Sequence, residues 1–269
     1  MKIYPGFTLF FIFTESYPSS SFSIKNSLKP LKMQLMNTHT VLLDWDRPAY
    51  DHYIFSAFDT ESVGKYVGVL INRLVSNYGV STENIIVIGH SLGAHIAGFA
   101  CKTFTKITGK KLPRIIVLDP AGPLFIFRPN SERLNKNDAD VVMAVHTDAG
   151  AEGYPTVIGT IDFFPNGGFD QPGCWKTLKA FNLKTYRQPL SCDHNRAWEY
   201  FVEAVNVTGS FAARKCDSYE NFKKGICAGE VVMMGDLNLK ATGSFFLETN
   251  SEKPFSKQLP EVITVDKKQ

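Results

Sequence analysis

Residues 85–100 read "IIVIGHSLGAHIAGFA" and combine the pattern of a strand with that of a helix. The first four of these residues, 85–88, are all β-branched, which suits a buried strand, and the apolar residues after them recur at helical spacing. Ser91 stands where the strand turns into the helix. Such a turn needs small residues beside the serine and presents its hydroxyl above the edge of a sheet. The pattern predicts a nucleophile, but an ordinary Gly-Ser turn fits equally well until partners are found.

Strands and helices alternate on both sides of this stretch. Further strands are predicted at 40–45, 114–120, 141–147, 157–165, 229–237 and 243–249. Apolar residues at i, i+3 and i+4 predict helices over 60–78, 91–105 and 193–205. This alternation is typical of an α/β fold with a mainly parallel sheet between helices. The chain contains no internal repeat or low-complexity linker, which favours one domain.

Composition excludes several classes of protein. A net charge of +3 over 269 residues, with no long Lys/Arg run, argues against a nucleic-acid partner. Five cysteines occur without a C-x-x-C motif or a neighbouring histidine at zinc-ligand spacing, so we predict no metal and no cofactor. Their spacing allows several disulfide pairings. Cys101, inside a predicted helix, is expected to be a buried apolar residue.

A serine needs a general base and a carboxylate behind that base to become a nucleophile. Of the six histidines, His146 and His194 follow Ser91 on loops or strand ends where a base can reach it. His90, inside the turn, is expected to direct its side chain elsewhere, and His95 is expected to be a satisfied helix residue. His194 is the preferred base, with His146 kept as the alternative.

The preferred acid is Asp119, because it directly follows the strand expected to lie beside that of Ser91. Asp148 and Asp162 also lie close to strands and are interpreted as loop or helix caps. Spacing alone leaves Asp148 open as the acid.

The combined motifs "VIGHSLGAHIAGF", "IIVLDPAGP", "VHTDAG", "GTIDFFPNGG" and "SCDHNRAWEYF" resemble the neutral, pancreatic-type lipases. That family includes triglyceride lipases, phospholipases A1 and non-catalytic insect yolk proteins. The similarity runs from about residue 41 to 255. It implies an α/β-hydrolase fold and a catalytic triad of Ser91, Asp119 and His194.

The resemblance also implies two disulfides, Cys174–Cys192 and Cys216–Cys227. The first closes the loop 175–191, which corresponds to the family's lid. Four apolar residues alternate there with lysines and are expected to contact substrate: Trp175, Leu178, Phe181 and Leu183. The resemblance implies a flap that covers the site in water and opens at a lipid surface. The alternative is an ordinary surface loop closed by a disulfide.

Two features depart from the family pattern. The oxyanion hole needs two backbone N–H donors, and the resemblance assigns them to Leu92 and, through the imperfect match "IYPGFT", to Phe7. The family's calcium loop is only partly matched by "ERLNKNDAD" (132–140), where Asn135 replaces a common acid.

We therefore expect a secreted hydrolase of lipid esters that acts on phospholipid at sn-1, on triacylglycerol, or on both. The alternative is an inactive lipid-binding homologue like the yolk proteins. Residues 1–20 are either a remnant first strand or a signal-like segment, and 21–269 are expected to form one catalytic domain. No C-terminal β-sandwich and no colipase partner are expected. Asn206 begins a glycosylation sequon.

Overall fold

The computed structural model describes residues 8–13, 38–43, 53–174 and 192–257. Nine strands lie in chain order as β1 (Thr8–Phe13), β2 (Thr38–Leu43), β3 (Ile85–Ser91), β4 (Arg114–Pro120), β5 (Val141–Val145), β6 (Ile161–Pro165), β7 (Ala212–Lys215), β8 (Val231–Met233) and β9 (Gly243–Leu247). The α-helices are α1 (Tyr53–Tyr78), α2 (Leu92–Thr108), α3 (Cys192–Asn206) and α4 (Tyr219–Lys223).

All nine strands form one sheet in the order β2-β1-β3-β4-β5-β6-β9-β7-β8. The first seven strands in this order pair in parallel. At the end of the sheet, β7 pairs antiparallel with both β9 and β8. The α/β prediction is therefore confirmed. Because β3 and β4 are neighbours and parallel, the residues at their carboxyl ends meet at one edge of the sheet, as the choice of Ser91 and Asp119 requires.

Helices cover both faces of the sheet. Alternate residues of β3 point to opposite faces, so Ile85 and Val87 pack into a core with α1 and α2. Ile86 and Ile88 belong to a second core on the other face, which includes α3. Burial of both faces explains why β3 and β4 read as continuous apolar runs rather than as alternating patterns.

Helices α1 and α2 run side by side in the same direction. A Cβ on Gly64 would lie 2.4 Å from Phe99 Cβ, and one on Gly68 would lie 2.5 Å from the Ala100 carbonyl oxygen. Two glycines one turn apart therefore let the helix backbones approach closely. Since α2 begins where β3 ends, α1 also begins at the carboxyl edge of the sheet, beside the candidate site.

Several elements differ from the sequence-based expectation. Helix α1 begins at Tyr53, earlier than 60, and β6 begins at Ile161 rather than 157. The later start of β6 has a local cause, since the Ile158 and Gly159 N–H groups donate to the Asp162 carboxylate instead of to a neighbouring strand. Strand β7 and helix α4 were not predicted, because four or five residues are too few to show a period. Among the described helices, none is both long and apolar enough to cross a membrane.

Candidate active site

Ser91 occupies a strained turn between β3 and α2. Its backbone has φ 56° and ψ −123°, a region that side chains other than glycine rarely adopt. The turn is possible because Gly89 has no side chain, since a Cβ there would lie 2.2 Å from the Gly93 carbonyl oxygen. This strain and close approach are the features of a turn that aims a serine hydroxyl above a sheet.

Asp119 lies near the end of β4, with a positive φ of 43°. Its Oδ1 accepts hydrogen bonds from the backbone N–H groups of Thr147, at 2.8 Å, and Asp148, at 3.2 Å. Its Oδ2 accepts the Nδ1–H of His194 at 2.6 Å. Asp119 and His194 are both almost fully buried. The carboxylate is therefore held by three donors, and it fixes the tautomer and orientation of the His194 ring.

His194 lies in the first turn of α3, and two contacts with distant parts of the chain hold it there. The disulfide Cys174–Cys192 ties the start of α3 to the loop after β6. The His90 Nε2–H donates to the His194 carbonyl oxygen at 3.1 Å, and the two rings lie 4.5 Å apart. His90 thus points neither to solvent nor to the serine, but supports the backbone of the candidate base.

The two neighbouring strands bring Ser91 to the same corner as this pair. Ser91 is in register with Pro120, next to Asp119, and the Ala121 N–H donates to the Ser91 carbonyl oxygen at 3.2 Å. His90, directly before Ser91, contacts His194. The three candidate residues, 28 to 103 positions apart in the chain by their numbers, therefore meet at the carboxyl edge of β3 and β4.

Burial keeps His90 neutral. Loss of solvation, with a smaller contribution from the nearby His194, lowers its pKa to about 3. His90 Nδ1 is buried without a hydrogen-bond partner among the described residues, so a proton there would be unsolvated. A neutral His90 places no positive charge against His194.

Asp148 is closer to the site than its sequence position indicated. Its Oδ2 accepts the Glu152 N–H at 3.1 Å, which confirms the interpretation as a loop cap. Ligand-type atoms of Asp148, Asp119 and His194 nevertheless lie within 4.8 Å of one another. Burial raises the pKa of Asp148 to about 6. The His194 Nδ1–H donates to Asp119 Oδ2 at 2.6 Å, and this hydrogen bond favours Asp119 as the acid.

Gly153 closes the site behind Asp119. A Cβ on this residue would lie 2.6 Å from Asp119 Oδ1 and 2.7 Å from Oδ2. The loop after β5 therefore packs its backbone directly against the carboxylate. Only glycine leaves room for this approach.

His146, the alternative base, lies in a different pair. Its Nε2–H donates to Asp162 Oδ1 at 2.8 Å, and its ring stacks on Phe164 with centroids 4.6 Å apart. Asp162 also accepts from the loop that precedes β6, so the cap interpretation of Asp162 is confirmed. Both residues are buried. This pair braces β5 against β6.

His95 is a satisfied core residue, as the sequence indicated. It accepts the Leu134 N–H on Nδ1 at 3.2 Å and donates from Nε2 to the Ala121 carbonyl oxygen at 2.9 Å. Its ring stacks on Phe125. Burial lowers its pKa to about 3, so this histidine is also neutral.

The loop that resembles the family's calcium site is occupied by groups of the chain itself. The Lys102 ammonium pairs with Asp138 Oδ1. The Asn135 side-chain amide donates to the same oxygen and to the Asn130 carbonyl oxygen, each at 2.9 Å. An ammonium and an amide already satisfy the oxygens that a cation would need. The residues present do not fit calcium, and no catalytic step is derived through it.

Several predicted residues lie outside the described part of the chain, namely Phe7 and the four lid residues Trp175, Leu178, Phe181 and Leu183. The position of strand β1 is relevant to the assignment of Phe7. This strand pairs in parallel with β3, with Leu9 opposite Ile85 and Phe13 opposite Gly89. The start of β1 is therefore at the end of β3 remote from Ser91, and this register gives the assignment of Phe7 no support.

Both disulfides implied by the resemblance are present, Cys174–Cys192 and Cys216–Cys227. Cys101 is free and buried in α2, and burial raises the pKa of its thiol. The expectation of an inert apolar cysteine is confirmed.

The sequence matches the model of the family described as "Lipase" over residues 13–255. Rat "Lipase member H" is 38% identical over 219 residues, which are 78% of this chain and 45% of the relative. Human "Pancreatic lipase-related protein 3" is 34% identical over 253 residues, 84% of this chain and 52% of the relative. The chain spans about half the length of these curated relatives.

Solved structures are more distant. A putative carboxylesterase from Lactobacillus plantarum is 14% identical, with a TM-score of 0.35, over 58% of this chain and 69% of that one. An α/β hydrolase from a deep-sea metagenome is 13% identical, with a TM-score of 0.33, over 55% and 59%.

Proposed function

Because the chain belongs to the Lipase family, we propose that it is a serine carboxylester hydrolase that acts on lipids. The observation that carries the proposal is the 2.6 Å hydrogen bond between His194 and Asp119, at the strand end beside the strained turn of Ser91. A buried carboxylate that orients an imidazole next to a serine in a strained strand-to-helix turn is the arrangement of acyl-transfer enzymes.

In the proposed mechanism, Ser91 Oγ attacks the ester carbonyl carbon while His194 Nε2 accepts the hydroxyl proton. The Asp119 carboxylate stabilises the imidazolium through Nδ1–H. Collapse of the tetrahedral intermediate returns the proton to the departing alcohol and leaves an acyl-enzyme on Ser91. Water, activated by His194, then releases the fatty acid.

The tetrahedral intermediate needs backbone donors for its oxyanion. We propose the N–H of Leu92 as one donor, because it begins α2, where the helix dipole favours negative charge. The second donor is assigned to Phe7 by resemblance only, and the register of β1, which ends at Phe13, does not support that assignment. That strand end lies level with Gly89, two residues before Ser91.

We propose that the substrates are phospholipid at the sn-1 ester and triacylglycerol, with phospholipid cleaved at least as well. Support comes from the loop between β5 and β6, residues 146–160, which folds back on Asp119 through Gly153. A short loop at this position resembles that of the phospholipase A1 branch of the family, and we propose that it opens the cleft to polar headgroups. The lid residues Trp175, Leu178, Phe181 and Leu183 are proposed to contact the acyl chain.

The test is hydrolysis of phosphatidylcholine and triolein emulsions, side by side, by the chain and by its Ser91→Ala variant. Ser91-dependent release of lysophospholipid from phosphatidylcholine is the expected result. Triolein hydrolysis without any lysophospholipid would refute the phospholipid proposal. A folded protein that hydrolyses neither substrate would favour the inactive, lipid-binding alternative.

We further propose that the protein is secreted. Two disulfides form and persist in oxidising compartments, and they are rare where glutathione keeps thiols reduced. Asn206, at the end of α3, is the proposed glycosylation site. A shift in mass on treatment with an N-glycosidase, lost in Asn206→Gln, would test both proposals together.

A further inference from the structure

A group of large apolar side chains is exposed at the start of α1 and in the loop after β4. We call it the aromatic rim. Its members are Ile54, Phe55, Phe58, Leu124 and Phe127, and the partly exposed Arg128 lies beside them. Phe127 is 99% exposed and Phe58 is 61% exposed. Contiguous exposed apolar groups of this size on a globular protein mark a contact surface.

The two halves of the aromatic rim are joined by specific contacts. Tyr53 Oη–H donates to the Pro123 carbonyl oxygen at 2.8 Å, which ties the start of α1 to the loop after β4. The Arg128 guanidinium lies 5.5 Å from the centre of the Phe58 ring and 4.6 Å from that of Phe125. The rim is therefore one ordered surface and not two separate loops.

This surface lies at the same edge of the molecule as the candidate active site. Its loop follows Pro120, the register partner of Ser91. Helix α1 begins at the carboxyl edge of the sheet, because it runs parallel to α2, which starts at Ser91. A planar surface in contact with the aromatic rim would therefore also lie opposite the edge of the sheet that carries Ser91.

We propose that the aromatic rim is the surface by which the protein docks on a phospholipid layer. Phenylalanine rings at a loop tip can enter the boundary between headgroups and acyl chains. Among the described residues no carboxylate pairs with Arg128, so its charge is available to a lipid phosphate. This inference rests on the proposed function, since it explains how a lipid hydrolase brings Ser91 to its substrate.

The test uses the Ser91→Ala chain, so that lipids are not consumed. Its partition onto vesicles of equal phosphatidylcholine and phosphatidylserine is compared with that of the triple variant Phe55→Ser, Phe58→Ser, Phe127→Ser. We expect the triple variant to lose about 100-fold in partition coefficient. Arg128→Gln should lose about fivefold on these vesicles and little on pure phosphatidylcholine.

A matched control changes exposed apolar residues away from this edge, in Tyr66→Ser, Tyr78→Ser, Ile107→Ser. This variant should bind vesicles as the parent does. Equal binding by the rim and control variants would overturn the proposal. So would a dimer of the parent that the rim variant abolishes without any vesicle binding, because a second copy of the chain would then cover the rim.

Hydrolysis of a water-soluble short-chain ester separates this inference from the proposed function. With Ser91 intact, the rim variant should keep that activity while losing activity on vesicles. If no Ser91-dependent hydrolysis of the soluble ester occurs, the proposed function fails, whatever the vesicles show. If the soluble ester is cleaved and the rim variant still binds vesicles, only the docking inference fails.

Discussion

Two buried histidine–aspartate pairs lie in the same half of the sheet, and they use different ring nitrogens. His194 donates to Asp119 from Nδ1, whereas His146 donates to Asp162 from Nε2. In the first pair the hydrogen bond to Asp119 uses Nδ1, so Nε2 is the second ring nitrogen. The His194 ring lies at the corner of the sheet that contains Ser91. In the second pair the remaining nitrogen, Nδ1, is buried with no hydrogen-bond partner in the described chain.

Residue type and burial alone therefore do not distinguish a candidate catalytic histidine–aspartate pair from a structural one. Both aspartates accept additional backbone N–H groups, and both histidines follow a strand or open a helix. What distinguishes them is the neighbour of the second ring nitrogen. In the proposed mechanism His194 Nε2 takes a proton from Ser91 and returns it to the leaving group, whereas His146 only links the end of β5 to Asp162 of β6.

The largest expected contrast comes from replacing each carboxylate by its amide. Asp119→Asn should lower kcat for a soluble ester by about 10⁴, because the amide favours the wrong His194 tautomer. Asp162→Asn should leave kcat within a few-fold and lower the free energy of unfolding by about 1–3 kcal/mol, the usual cost of a disrupted buried hydrogen bond.

Steady-state kinetics and denaturant unfolding of the two variants measure this contrast. If Asp162→Asn loses activity as severely as Asp119→Asn while still folded, the assignment of the two pairs is wrong.

The glycines beside the two carboxylates give a second contrast. Gly153→Ala would push a methyl group against both Asp119 oxygens and should lower kcat by about 100-fold in a folded protein. Gly159→Ala would clash with the carbonyl oxygens of Val142 and Ile161, beside Asp162, and should lower Tm with little change in kcat. Circular dichroism melts alongside kinetics separate the two outcomes. Full activity in Gly153→Ala would contradict the tight packing behind Asp119.

His90 supports the candidate catalytic pair, and the described residues show no similar contact at the His146–Asp162 pair. His90→Leu removes the donor to the His194 carbonyl oxygen and should lower kcat by about 10-fold, with KM little changed. His90→Gln can restore a side-chain N–H and should recover part of the loss. If both variants behave alike, the contribution of His90 is packing and not the hydrogen bond.

The smallest effect concerns stability against pH. His90 and His95 have pKa values lowered to about 3, so unfolding takes up protons below pH 6.5, and stability falls as the pH falls from 6.5 toward 3. Asp148 acts in the opposite sense. Its raised pKa, about 6, means that its burial costs stability as the pH rises from 3.8 through 6.

Two histidines outweigh one aspartate, so Tm should decrease below pH 6.5. Asp148→Asn removes the opposing contribution and should steepen that decrease. Melting curves between pH 4 and pH 8 measure this dependence. If Tm falls with pH equally in the parent and in Asp148→Asn, burial of the Asp148 carboxylate does not affect the stability.

Local pattern was enough to predict the layered α/β fold and the position of Ser91. The run 85–88 and the glycines around Ser91 carry this information within a few residues, because strand burial and turn geometry are local properties. The same holds for Asp119, which lies near the end of β4. The sequence favours His194 over His146 as the base without excluding His146. The hydrogen bond from His194 to Asp119 supports His194.

Contacts between distant positions could not be read from the sequence. His90 and His194 are 104 residues apart, and no periodicity links them. The approach of Asp148 to His194 depends likewise on how the loop after β5 folds back. Short elements such as β7 are fixed by their pairing with β8 and β9 and not by their own residues.

The proposed mechanism makes Ser91, activated by His194 and Asp119, the nucleophile of an ester hydrolase. Covalent labelling with a fluorophosphonate, followed by mass spectrometry of the digested protein, tests this role. We expect one adduct, on the peptide that contains Ser91, and we expect it to form much more slowly in His194→Ala. A folded protein that forms no adduct, or one whose adduct forms equally well in Ser91→Ala, would contradict it.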